Sequence, residues 1–277
     1  MVRVDLKLAP QNCTIEDLRR IWRLADDAGF DGVWDFDHFN SIGTSTAGPV
    51  FEGWTLLGAM AALTRRVRIG CMVTGVTYRH PAVLAKMAVT VDHLSNGRLD
   101  VGIGAAWAVN EHASLGIPFP PNGPRIRELR EACEVMKRLW TWPRTTYDGK
   151  RFTLVNAVAE PKPVQRPHPP LWIGGEGEKL VLRVVARHAD VWNHTSNDPE
   201  KSARLSKILD EHCHAVGRKP EEIGRSVQLF YAGDRDGFLR LADGLVREGF
   251  TKLVCGVRSM SDGGTVAELL PRLRALG

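Results

Sequence analysis

The 277-residue chain is 43% hydrophobic and 25% charged with a formal net charge of +5, a balance that suits one large α/β domain or two small ones. The basic residues form no arm or tail, so the charge does not point to nucleic acid and suits an anionic small ligand equally well. No apolar run is long enough to span a membrane, and five scattered cysteines without metal or disulfide-framework spacing point to a reducing cytoplasm.

Residues 2–8 alternate charged and apolar side chains and predict a first strand rather than a signal peptide. Thr14 predicts an N-cap with Asp17 in the capping-box position, and Ile15, Leu18, Ile21, Trp22 and Ala25 share one helical face up to Gly29. Residues 32–36 read as a short second strand with Asp37, His38 and Phe39 at its C-terminal end. A loop rich in glycine, serine and threonine runs to Pro49. Residues 52–64 read as helix and 67–73 as a third strand. After a turn through Thr74 and Gly75, Pro81 suits the first position of a helix reaching Leu94.

The chain is organised around residues 94–115. A turn at Ser95-Asn96-Gly97 precedes an apolar run, 99–103, too short for a helix, which reads as a buried parallel strand. The side chains then shrink through Gly104, Ala105 and Ala106, so a flat or phosphorylated ligand can approach the backbone. Trp107, Asn110, Glu111 and His112 follow, residues that stack, hydrogen-bond and titrate. The run 102–107 is not a dinucleotide fingerprint, because Trp107 replaces its third glycine. A strand-to-loop turn with no ligand is the plain alternative.

Residues 124–140 predict a long helix. The stretch 141–170 breaks the rhythm: a hairpin fragment around Tyr147 leads to an extended segment holding five of the 16 prolines, which cannot be helical. It reads as an insertion rather than a domain boundary, because strand–helix alternation then resumes. Strands are expected at 171–173, 190–193, 226–231 and 252–257, and helices at 178–188, 198–216, 235–248 and 266–276. About eight strand–helix units in a length close to the ~250 residues of a (β/α)8 barrel favour a single α/β TIM-barrel domain over residues 1–277. A doubly wound open sheet is the competitor.

In a barrel, the loops after the strands build the site at one face. Here they carry Asp37 and His38, Thr74 and Gly75, residues 105–112, the turn Gly174-Gly175-Glu176-Gly177, and Asn193. The glycine turn leads into a helix start, where free N–H groups and the helix dipole attract an anion; an ordinary strand-to-helix turn is the alternative. His38 reads either as a structural histidine or as a proton-transfer residue. His212 and His214 lie on a polar, solvated helix, and His168 reads as structural. Histidines and carboxylates do not converge at ligand spacing, so no metal is expected, and no nucleophile elbow is present. A cofactor would then supply the chemistry.

Several motifs in order carry a family resemblance: Val73 to Lys86, Asp92 to Leu99, Gly102 to Trp107, Glu111-His112, Gly116 to Pro120, Glu160 to Gln165 and Pro170 to Lys179. Together they resemble the luciferase-like monooxygenase superfamily, and within it the oxidoreductases that use the deazaflavin coenzyme F420. The resemblance covers residues 4 to about 257. It implies a luciferase-like (β/α)8 barrel with the insertion after the fourth helix, binding coenzyme F420, with FMN as the alternative cofactor.

Residue by residue, the resemblance gives His38 the place of the histidine near the deazaflavin ring. It gives Val73, Thr74 and Gly75 the segment whose non-prolyl cis peptide backs the ring. Gly104, Ala105, Ala106, Trp107 and Asn110 match the loop lining ring and side chain. Gly174, Gly175, Glu176 and Gly177 match the phosphate-binding turn, and Asp37 and Asn193 are expected among the cofactor contacts. One departure is Trp107, where the sugar-phosphate dehydrogenases of the superfamily carry an acidic residue. Glucose-6-phosphate is therefore not expected; an apolar or aromatic substrate, or an activated alkene or carbonyl, fits better. The expected activity is hydride transfer between the deazaflavin and a small organic substrate. A reduced-FMN monooxygenase and a non-catalytic F420-binding protein are the alternatives. A cytoplasmic homodimer without nucleic-acid or membrane partners is expected.

Overall fold

The computed structural model describes residues 2–43 and 47–276, so part of the glycine-, serine- and threonine-rich loop, residues 44–46, lies outside the described residues. The first half runs β1 (Arg3–Leu8), α1 (Ile15–Ala28), β2 (Gly32–Asp35), α2 (Gly53–Leu63), β3 (Arg68–Gly75), α3 (Pro81–Leu94), β4 (Leu99–Gly104), α4 (Val109–Leu115) and α5 (Asn122–Thr141). A hairpin of β5 (Thr145–Asp148) and β6 (Thr153–Ala157) follows. The second half runs β7 (Leu171–Gly174), α6 (Val181–His188), β8 (Val191–Thr195), α7 (Pro199–Ala215), β9 (Gly224–Phe230), α8 (Arg235–Arg247), β10 (Lys252–Val257) and α9 (Met260–Arg274).

Among the described residues, the parallel strands close on themselves in the order β1-β10-β9-β8-β7-β4-β3-β2, and β5-β6 stands apart as an antiparallel pair. This is the (β/α)8 barrel expected from the alternation, not the open sheet. The capping box at Thr14 forms as predicted, with the Asp17 N–H donating to Thr14 Oγ1 at 3.1 Å. No described helix is long and apolar enough to cross a membrane.

Three elements differ from the sequence reading by more than two residues. α4 stands where a loop was expected, because the residues it buries, Glu111 and His112, are polar and leave no apolar period. α6 starts at Val181 rather than residue 178. α9 starts at Met260 rather than residue 266: Ser259 caps it by accepting from the Asp262 N–H at 3.1 Å.

Alternation along each strand sorts side chains between two layers. Leu6, Val33, Ile69, Val101, Ile173 and Leu253 join the helices in the main apolar layer, while Trp34, Met72, Trp172, Val191 and Val254 form a smaller cluster inside the barrel. Below that cluster lies a charged floor. Arg3 donates to Asp5 at 2.9 Å and to Asp100 at 2.7 Å, Arg68 donates to Asp100 at 2.6 and 2.9 Å, and Trp34 Nε1 donates to Asp5 at 2.8 Å. Asp5 and Asp100 are fully buried, and such charges persist only when paired and hydrogen-bonded.

Candidate active site

The C-terminal ends of the strands enclose a cavity of about 790 Å³. Lys7 stands at its base. The Lys7 ammonium donates to the Met72 carbonyl at 3.0 Å and to Gln228 Oε1 at 2.6 Å. Gln228 Nε2 donates to Asn193 Oδ1 at 3.0 Å, and Asn193 Nδ2 to Ser226 Oγ at 2.9 Å. Burial brings the Lys7 pKa down to about 8, since desolvation disfavours the charged form.

The cavity wall beside Lys7 is made of backbone. The Met72–Val73 peptide is cis, one bond before the stretch that the sequence marked for such a bond. A Cβ at Gly104 would come within 2.9 Å of Val73 Cγ2, and one at Gly174 would do the same. Glycine at both positions lets three neighbouring strands meet around Val73 and leaves a flat wall. Arg125, buried beside it, donates through Nε to the Ala105 carbonyl at 2.9 Å and stacks 3.9 Å from the Phe119 ring centroid. This fixes the loop after β4, where Ala106 holds a positive φ of 59°.

His38 faces this wall. Its Nδ1 lies 3.0 Å from Glu111 Oε2 on α4, and Trp107 sits 5.4 Å from its ring at the mouth. Glu111 also accepts from the backbone N–H groups of Phe39 and Asn40, the latter at 2.8 Å, and from the Tyr78 hydroxyl. Burial alone would raise the Glu111 pKa, but these hydrogen bonds, Tyr78's foremost, hold it below the ordinary carboxylate value. For His38, burial outweighs the Glu111 contact and lowers the pKa, so the ring is neutral near pH 7. His112 is fixed on the far side of Tyr78, between Thr77 Oγ1 at 2.6 Å and the Ala108 carbonyl at 2.7 Å, with its ring stacked on Tyr78.

Of the residues singled out in the sequence, His38, Val73, Gly75, Gly104, Ala105, Ala106, Trp107, Gly174, Gly175, Glu176, Gly177 and Asn193 line the cavity. Asp37, Thr74 and Asn110 do not. Asp37 is buried behind the wall and holds Arg79, which also pairs with Glu52 at the start of α2. Thr74 is buried too and accepts from Trp54 Nε1 at 2.7 Å. Asn110 lies on the exposed side of α4.

The glycine turn is also more committed than it looked. The Gly175 N–H already donates to the Asn193 carbonyl at 3.0 Å, and its φ of +130° bars a side chain there. Lys7 and His194 are among the lining residues that escaped the sequence reading. His194 stacks on Trp192 with ring centroids 4.8 Å apart and is buried; among the described residues neither ring nitrogen has a hydrogen-bond partner, Glu176 Oε2 lying 3.9 Å from Nδ1. Burial brings its pKa down to about 4. Only the strand alternation at 190–195 could have placed it, and that gives position without partners.

The family model for luciferase-like monooxygenases matches residues 2–237. The chain belongs to this family. An uncharacterised protein of Mycobacterium tuberculosis is 38% identical to it over 167 residues, 60% of this chain and 57% of that protein. An F420-dependent glucose-6-phosphate dehydrogenase of Amycolatopsis mediterranei is 30% identical over 240 residues, 85% of this chain and 71% of that enzyme. The match thus spans less than two thirds of the first curated relatives, as the 57% shows. A solved F420-dependent secondary alcohol dehydrogenase in complex with an F420-acetone adduct matches with a TM-score of 0.89 over 99% of both chains. At 19% identity that likeness is one of fold.

Proposed function

We propose that this luciferase-like protein is a deazaflavin-dependent oxidoreductase that exchanges hydride with a small, largely apolar substrate. The observation that carries the reading is a half-buried histidine, held by Glu111 at 3.0 Å, facing a flat backbone wall across a cavity of about 790 Å³. The residues fit the group. Glycines 104 and 174 leave a wall that a Cβ would spoil, and His194 offers two buried nitrogens that have no hydrogen-bond partner among the described residues. The curated relatives named F420-dependent match up to 87% of the chain, and the net charge of +5 suits a cofactor with phosphate and carboxylates.

When bound, a deazaflavin supplies one ring carbon that accepts or gives hydride. The wall around Val73 and the loop held by Arg125 would orient the ring. Asn193, His194 and the free N–H groups after Gly175 would hold the polar chain and phosphate. His38 carries the proton at the substrate oxygen, and Phe36 and Trp107 keep water from it. Trp107 and Phe230 line the cavity with apolar surface where a sugar phosphate would need charge.

The test is a titration of the protein with the deazaflavin and with FMN, followed by turnover on a panel of small alcohols and carbonyls. Tighter deazaflavin binding with turnover supports the reading. Tighter FMN binding moves the protein to the oxygen-using branch, and deazaflavin binding without turnover makes it a carrier.

A further inference from the structure

We propose that Glu111 is the positioning residue that holds His38 as the Nδ1–H tautomer, with the Nε2 lone pair turned to the cavity. The inference rests on His38 as the proton-transfer residue of the preceding section. The two oxygens of Glu111 have separate tasks. Oε1 accepts from the Phe39 and Asn40 backbone N–H groups, and Oε2 accepts from the Tyr78 hydroxyl and faces His38 Nδ1 at 3.0 Å. Backbone amides can only donate, so the carboxylate is fixed as an acceptor. An ionised carboxylate has no proton to give, and the shared hydrogen must sit on His38 Nδ1. In a neutral ring the other nitrogen is then an acceptor. Among the described residues, no protein group bonds Nε2, and the ring lines the cavity.

The resting enzyme therefore presents a proton acceptor, and the substrate it binds best is an alcohol whose O–H donates to Nε2. With a deazaflavin bound to take hydride from the carbinol carbon, the O–H proton would pass to His38 Nε2 as the carbon–oxygen double bond forms. The substrate is oxidised and the deazaflavin reduced. The imidazolium is held by Glu111 until it releases the proton to water.

Glu111→Gln tests this cleanly. The amide oxygen can keep the Phe39 and Asn40 contacts, which share Oε1, while its NH₂ group replaces the acceptor facing His38. Nδ1 must then accept, and the proton moves to Nε2. Ring ¹⁵N spectra of the whole protein should show Nδ1–H in wild type and Nε2–H in the variant. Alcohol oxidation should fall by about 10²–10⁴-fold, the range of general-base assistance, with deazaflavin affinity within a few-fold. A wild-type ring protonated at Nε2, or a tautomer unchanged by Glu111→Gln, overturns the proposal. A moved proton with an unchanged rate upholds the hold of Glu111 on the ring and overturns His38 as the base. Should Glu111→Gln not fold, Tyr78→Phe removes one donor to the same oxygen and leaves the carboxylate on Nδ1. It should keep the wild-type tautomer, and a moved proton there would overturn the proposal by assigning the control to Tyr78.

Discussion

The two ends of the barrel interior bury polar groups by opposite rules. At the floor, Asp5 and Asp100 are each met by two donors, and Arg3 and Arg68 are spent on them. At the mouth, two nitrogens of His194 and one of His38 have no hydrogen-bond partner among the described residues, and glycines stand where a Cβ would run into Val73. Burial is equally deep in both places: Asp100 and the His194 side chain are both 0% exposed. An unmet buried group costs about 1–3 kcal/mol, so the mouth holds stability in reserve that a ligand can return, while the floor has none left to offer.

The comparison breaks most visibly at the floor. Asp100→Ala strips Arg68 of its carboxylate and leaves Arg3 with Asp5 alone. It should cost about 3–5 kcal/mol, read by urea denaturation, with ligand affinity of the folded fraction unchanged. Were the loss below ~1 kcal/mol, the floor would be no more committed than a surface ion pair.

His38→Ala should do the reverse. Turnover should fall at least ~10²-fold in stopped-flow reduction of the bound deazaflavin, with little change in the urea midpoint and in affinity. Equal rates would return His38 to a structural role.

A smaller effect is expected from His194→Phe, which keeps a ring stacked on Trp192. Stability should hold or rise, while deazaflavin affinity drops roughly tenfold, the worth of one good hydrogen bond. An unchanged affinity in a fluorescence titration would show that no ligand meets those nitrogens.

The last effect is a slope. Burial lowers the pKa of His188 and of His194 from 6.5 to about 4. The unfolded chain then binds more protons than the folded one between those values. Stability should be level above about pH 6.5 and decline as pH falls toward 4, by about 1 kcal/mol per pH unit for each histidine. His194→Phe should remove one share of that decline in urea midpoints taken from pH 7 to 4.5. A slope unchanged by the substitution would mean that His194 is not held neutral.

The barrel was legible because its signals are local. Period, caps and glycine stops recur unit after unit, and Pro81 and Thr14 mark their helices to the residue. The candidate site was legible in its small residues: Gly104 and Gly174 end their strands where Val73 approaches closely. What stayed hidden depends on partners far along the chain. Asp37 reads like a ligand and is an ion-pair anchor, because Arg79 lies 42 positions away. Lys7 reads as one more charge in an alternating strand, and only barrel closure turns it inward onto Met72. Glu111 and His112 sit on a short helix whose buried face is polar, and periodicity cannot see such a face.

The seam between β1 and β10 has a consequence for how the chain reaches this form. Its register pairs Arg3 with Lys252, so the ring is sealed by residues from nearly opposite ends of the described chain. Closing so long a loop gains nothing until the last strand docks, which makes sealing a late event in folding. Before then, β1 and β9 each present a row of unpaired N–H and C=O groups, the template on which another chain can add. The form of this protein most prone to aggregate is therefore the one that has built all but its final strand, and holdase capture should peak there.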